Sequence, residues 1–108
     1  MPLSRTFEGR RFSDAGPVPR PLSVGDGLAA MLLCLQHGQR LQAPDGDDAE
    51  TVFTVLEGAG FVQDGDERFE IGAGDVVHVL SGRSKALEAG GGTFTVLGVR
   101  RLAGGRNG

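Results

Sequence analysis

The side chains able to bind metals or move protons are few and widely spaced in this sequence. There are two histidines, His37 and His78, and one cysteine, Cys34. A three-imidazole metal site within one copy of the chain is therefore impossible, as is an internal disulfide. The densest group of oxygen donors is the acidic run Asp45, Asp47, Asp48 and Glu50. Carboxylates alone favour Mg²⁺, Ca²⁺ or Mn²⁺ over Zn²⁺ or Fe²⁺. The stretch 44–48 also reads as a solvated loop, with Asp45-Gly46 supplying a turn, and that plainer reading is preferred. Cys34 sits in an apolar run with no assignable acid–base partner, so it reads as a small buried hydrophobe. His37 precedes Gly38 at a turn and is expected to be exposed. His78, flanked by Val77 and Val79, shares a strand face with Val76 and Leu80. A hydrogen-bonded structural role is favoured for it over that of a metal-free base.

The elements that must position these groups are strands. Val52-Phe-Thr-Val-Leu56 is β-branched and aromatic, and Gly58 and Gly60 break it. Phe61-Val-Gln63 leads into Asp64-Gly65, a hairpin signal, and Glu67-Arg-Phe-Glu-Ile71 alternates polar with apolar beyond it. Gly72 and Gly74 turn the chain before Val76-Val-His-Val-Leu80, and Thr93-Phe-Thr-Val-Leu-Gly-Val99 follows the glycines at 90–92. Turn signals at this close spacing indicate an all-β sandwich or barrel. The apolar run from Leu28 to Leu35 suits either a short helix or a strand buried on both faces, and periodicity does not separate the two. Thr51, Phe53 and Val55 alternate, as do Thr93, Thr95 and Leu97. One such set from each strand should line the interior, a mostly apolar lining that suits a filled core or a small apolar ligand.

Pro17, Pro19 and Pro21 at alternate positions make the first part of the chain extended rather than helical. The expected organisation is an N-terminal arm or edge strand over 1–26, a barrel over 27–102 and a flexible tail over 103–108. A length of 108 residues suits one domain. Nineteen glycines beside five prolines, with no three-residue period, suit short strands and tight turns rather than collagen. The net charge is −3, and the N-terminal arginines Arg5, Arg10, Arg11 and Arg20 are scattered without lysine or aromatic interleaving. No nucleic-acid partner is expected on that basis. The longest apolar run is far too short to span a membrane and the first residues carry no apolar leader pattern, so no membrane association and a cytoplasmic location are expected.

The stretch from Val52 to Val77, with its strand ending in Leu56-Glu57-Gly58, its hairpin and its Gly74-Asp75 pair, closely resembles the middle of a small single-domain cupin. The resemblance covers residues 30–100 and implies a cupin-type double-stranded β-helix, a jelly-roll barrel. Gly38 and Gly58 fit the ends of the family's first motif, and Gly74 and Gly82 fit the second. On that register the first motif's histidine positions fall on Pro44 and Gly46 and its glutamate on Thr51. In the second motif the proline position is Leu80, the histidine position Lys85 and the asparagine position Ala89. Slipping the register by one residue, with an insertion, would bring Asp45, Asp47 and Glu50 to the ligand positions but spoils the fit at Gly38. The resemblance thus implies a scaffold whose metal ligands are replaced, with no metal and no cofactor.

The resemblance also implies that Lys85 is aimed into the barrel mouth, where it could bind an anion or act as a base or Schiff-base amine. The preferred alternative is a lysine whose stem covers apolar surface and whose head reaches the rim. With Arg83 nearby, a carboxylate- or phosphate-bearing ligand is the most concrete expectation. The residues expected to bind a ligand are Lys85, His78, Thr51, Phe53 and Arg83. Three functions stay open. The first is a metal-free cupin that binds a small molecule. The second is an enzyme, either a metal-dependent dioxygenase or isomerase with a displaced site or a metal-free isomerase using Lys85 and His78. The third is a structural or assembly protein, since small cupins are commonly homodimers and an arm can add a strand to a partner's sheet. Fold alone does not choose among them.

Overall fold

The computed structural model describes residues 3–44 and 49–102. Among the described residues, nine strands follow a short 3₁₀ turn at Phe7–Gly9: β1 Val18–Val24, β2 Leu28–Gln36, β3 Arg40–Gln42, β4 Thr51–Glu57, β5 Ala59–Asp64, β6 Glu67–Gly72, β7 Val76–Val79, β8 Lys85–Ala89 and β9 Thr93–Arg101. They form two antiparallel sheets, a larger one in the order β1-β2-β9-β4-β7 and a smaller one in the order β3-β8-β5-β6. Among the described residues no helix is long and apolar enough to cross a membrane.

The ambiguous run at Leu28 is a strand covered on both faces: Leu32, Leu33, Cys34 and Leu35 are all buried. Leu33 and Leu35 point into the core with Phe53, Val55, Val62, Ile71, Leu87, Phe94 and Val96. Leu32 and Cys34 lie on the opposite face, which the N-terminal residues cover. There Gln36 Nε2 donates to Asp14 Oδ1 at 2.8 Å, Gln39 Nε2 donates to the Ser13 carbonyl at 2.6 Å, and Arg10 pairs with Glu57 at 2.6 Å. The residues after Pro17 form β1, which pairs with β2 of its own chain as the edge of the larger sheet. Pro19 and Pro21 have no N–H to offer, so an edge is where they disturb a ladder least.

Two strands carry no clear β signal in the sequence. β8, Lys-Ala-Leu-Glu-Ala, is built mostly of good helix formers. It is held extended by ladders to β3 on one side and β5 on the other. β3 is only three residues long. In the hairpin of β5 and β6, Asp64 pairs with Glu67, so Gly65 and Asp66 make the turn, with Gly65 at φ +61°.

Candidate functional site

Strand alternation decides which side chains enter the barrel. In β4 the inward set is Thr51, Phe53 and Val55, all buried. In β9 it is Phe94, Val96, Gly98 and Arg100, because Gly98 lies opposite Phe53 and Met31, and Arg100 lies opposite Thr51 and Ala29. Thr93, Thr95 and Leu97 therefore form the outward set of β9. Thr95 donates its hydroxyl to Glu57 Oε1 at 2.8 Å on the outer face. In β8 the inward residues include Lys85 and Leu87.

These sets converge on a cavity of about 250 Å³ at one end of the barrel. Its apolar wall includes Met31, Leu33, Leu41, Phe53 and Leu87, and its polar groups include Thr51, Lys85 and Arg100. Gly98 lies in the wall without a positive φ, so backbone conformation does not require glycine there. A Cβ at this position would stand 3.3 Å from Leu33 Cδ1 and 3.5 Å from the Phe53 ring. Glycine inside a strand often marks a place where a ligand or another chain comes close.

Lys85 is 6% exposed and lines the cavity rather than lying out along the rim. Its backbone carbonyl accepts from Ala43 N at 3.1 Å, which ties the start of β8 to the end of β3. Thr51 donates its hydroxyl to the Ala49 carbonyl at 2.9 Å. Three positions that the cupin register marks for metal ligands or their replacements, Pro44, Thr51 and Lys85, thus come together in one wall. Gly46, Asp45, Asp47 and Asp48 lie outside the described residues. Among the described residues, no three of His, Cys, Asp and Glu gather as a metal site would need.

His78 and Arg83 do not line the cavity. His78 is half-exposed on the outer face of β7, its Nε2 2.6 Å from Glu50 Oε2, while Glu50 Oε1 is 3.3 Å from Arg101. This carboxylate of the acidic run is thus engaged on the outside of the barrel. Arg83 is bound at the β5–β6 hairpin. Its Nε pairs with the Asp64 carboxylate and its Nη2 donates to the Asp64 carbonyl at 3.1 Å. The hydrogen bond to Asp64, followed by that carboxylate's charge, raises the guanidinium pKa. His37 is exposed at a turn with φ +49°, its Nδ1 3.1 Å from the Gly91 carbonyl, and Cys34 is fully buried.

Arg100 is the cavity residue that sequence inspection passes over. Its signal was present, since extending the alternation Phe94, Val96, Gly98 inward by one more step reaches it. Choosing that set over Thr93, Thr95 and Leu97 required knowing which face of β9 meets the core.

No protein-family model and no curated protein matches this chain. Solved structures do. TT1209 from Thermus thermophilus superposes with a TM-score of 0.86 at 18% identity, covering 94% of this chain and 97% of that one. An RmlC-like cupin protein from Desulfovibrio desulfuricans gives 0.81 at 22% identity, with 94% and 96% covered. A conserved protein with a double-stranded β-helix domain from Klebsiella pneumoniae gives 0.84 at 16% identity, with 96% and 92% covered. The fold of this chain is that of a small cupin domain.

Proposed function

We propose that this cupin-fold chain binds a small, largely apolar molecule in the open end of its barrel, without a conventionally bound metal. The observation that carries this reading is the cavity of about 250 Å³, walled by Met31, Leu33, Leu41, Phe53 and Leu87, with Gly98 letting Leu33 and Phe53 pack close against β9. At a liquid volume of about 30 Å³ per water it holds the equivalent of about eight waters, a space for a small ligand of similar heavy-atom count that lies just below the usual range of ligand pockets. The groups at the cupin ligand positions do not fit a transition metal. Pro44 has no side-chain ligand atom, Thr51 carries a neutral hydroxyl that donates a hydrogen bond to the Ala49 carbonyl, and a lysine ammonium has no lone pair. No chemical step is derived through a metal.

Titration with phenethyl alcohol as a neutral probe, followed by methyl NMR, tests the reading. Saturable shifts confined to Met31, Leu33, Leu41 and Leu87 are expected, and Gly98→Val should abolish them. Equal shifts in the variant, or shifts spread over the outer surface, would overturn it. Elemental analysis after dialysis is expected to find no stoichiometric transition metal, and finding one would sink the metal-free part.

A second reading concerns assembly, and here a homodimer is proposed through the part of the larger sheet's outer face around Leu28 and Val76, which the N-terminal residues leave exposed. The outer face of the smaller sheet is crossed by ion pairs, Arg40–Glu88 at 3.5 Å and Arg68–Glu88 at 3.4 Å, with Arg68 stacked over Phe61. By contrast, the larger sheet leaves Leu28 and Val76 about three-fifths exposed, at 59% and 62%, beside half-buried Val52, Leu97 and Val99. The rim carries both signs, Glu50 with Arg101, so it can face its own two-fold copy without like-charge repulsion. Light scattering should give a dimer that Leu97→Glu converts to a monomer. A monomer for the unaltered chain at all concentrations rules this out.

A further inference from the structure

We infer that the molecule taken into the cavity is a carboxylate, its acid group held between Lys85 of the smaller sheet and Arg100 of the larger and its hydrocarbon body against the apolar wall. This rests on the cavity reading above and deepens it.

The argument starts from where the two cations stand. Lys85 opens β8 and Arg100 lies near the end of β9, so they come from opposite sheets, yet both line the same cavity. The rest of that wall is largely apolar. Two cations beside an apolar space can hold a ligand's acid group while its hydrocarbon body lies against the wall. A guanidinium matches the planar fork of a carboxylate and an ammonium adds a compact point charge, and charge-assisted bonds of this kind are stronger than neutral ones. The Thr51 hydroxyl, beside Arg100 across the β4–β9 ladder, donates to the Ala49 carbonyl at 2.9 Å, so the acid group relies on the two cations. Both Lys85 and Arg100 also engage other groups of the chain, so a ligand's carboxylate enters by exchange of partners rather than by filling vacant bonds.

Size selects the class further. A cavity of this size takes one acid group and a short alkyl or aryl body. Dicarboxylates and sugar phosphates would press a second charge or several hydroxyls against Leu33, Leu41, Phe53 and Leu87, which offer no hydrogen bonds.

The test pairs phenylacetate with its neutral analogue phenethyl alcohol, followed by methyl NMR of the cavity leucines in the full chain. Phenylacetate is expected to bind about tenfold more tightly than the alcohol, with the advantage shrinking as salt is raised. Arg100→Gln and Lys85→Met should each remove most of that advantage, read as the ratio of the two affinities within one variant. A native-like methyl spectrum of each free variant shows that it folds, and Arg100→Lys should restore part of the preference. Equal affinity for the two probes, or a preference untouched in both variants, overturns the carboxylate inference while the cavity reading stands. If neither probe moves the cavity methyl signals, both fall.

Discussion

The two ends of the barrel are built from the same strands and differ in what their interior positions carry. At the closed end Leu35, Val55, Val62, Phe94 and Val96 are essentially unexposed and fill the space between the sheets. At the open end β9 continues its inward set with Gly98 and Arg100, β4 with Thr51 and β8 with Lys85. Four residues along one strand, a phenylalanine gives way to a glycine, and the interior changes from packed hydrocarbon to a largely apolar cavity bordered by Lys85 and Arg100. Protein interiors are close-packed, so a void of this size persists only where side chains are withheld from it. The packing that holds the sheets together is thus concentrated at one end of the barrel, and the cavity lies at the other.

The contrast can be broken most severely at Gly58. It sits at φ +81°, and an added Cβ would lie 1.9 Å from the Thr93 carbonyl oxygen, so backbone would have to move. Gly58→Ala is expected to destabilise by about 3 kcal/mol or more in urea unfolding. A loss below about 1 kcal/mol would show that this turn relaxes freely. Next, Phe94→Leu at the closed end should cost about 2 kcal/mol, while Phe53→Leu, which borders the cavity, should cost about half as much. Equal losses would mean that the two ends are packed alike.

A smaller effect is expected at Glu57, where the outer face of the larger sheet holds the N-terminal residues. The hydrogen bond from Arg10 holds this carboxyl below its ordinary value of 4.5; partial burial opposes this, and the Thr95 hydroxyl adds to the lowering. A lowered folded-state value stabilises the fold at pH above that ordinary value, and the contribution is lost as pH falls through the folded-state value. Glu57→Gln should remove this acid-side loss and cost about 0.5 kcal/mol at neutral pH, discounted for the pair's partial exposure. Parallel pH–stability curves for the two proteins would refute the assignment. Smallest of all, His78→Ala should leave phenylacetate binding within about twofold, since the imidazole lies on the outer face with Glu50. A larger loss would require His78 to communicate with the cavity.

How far the site can be read from sequence depends on the residue. Thr51 and Phe53 follow from alternation in a strand with a clear β composition. Lys85 came only from its place in the cupin register, because β8 is composed like a helix and is extended by its neighbours. Arg83 looked like its companion from proximity in sequence. In the structure the chain turns between Gly82 and Lys85, and Arg83 is drawn to Asp64 across the hairpin while Lys85 enters the barrel. His78 had the right parity to share a face with Val76 and Leu80, but that face is the outer one.

By itself the amino-acid sequence determined the all-β class, the order of most strands, the turns at its glycines and the limit of two histidines, because these depend on local composition and counting. Only the tertiary structure decided which face of each strand is inside, that Arg100 joins Lys85 in one cavity wall, and that Gly98 meets Leu33 and Phe53 there. The physical reason is that alternation has a period of two and is blind to its own phase. That phase is set when two sheets close on one another and apolar area is buried, a choice made by all the strands together.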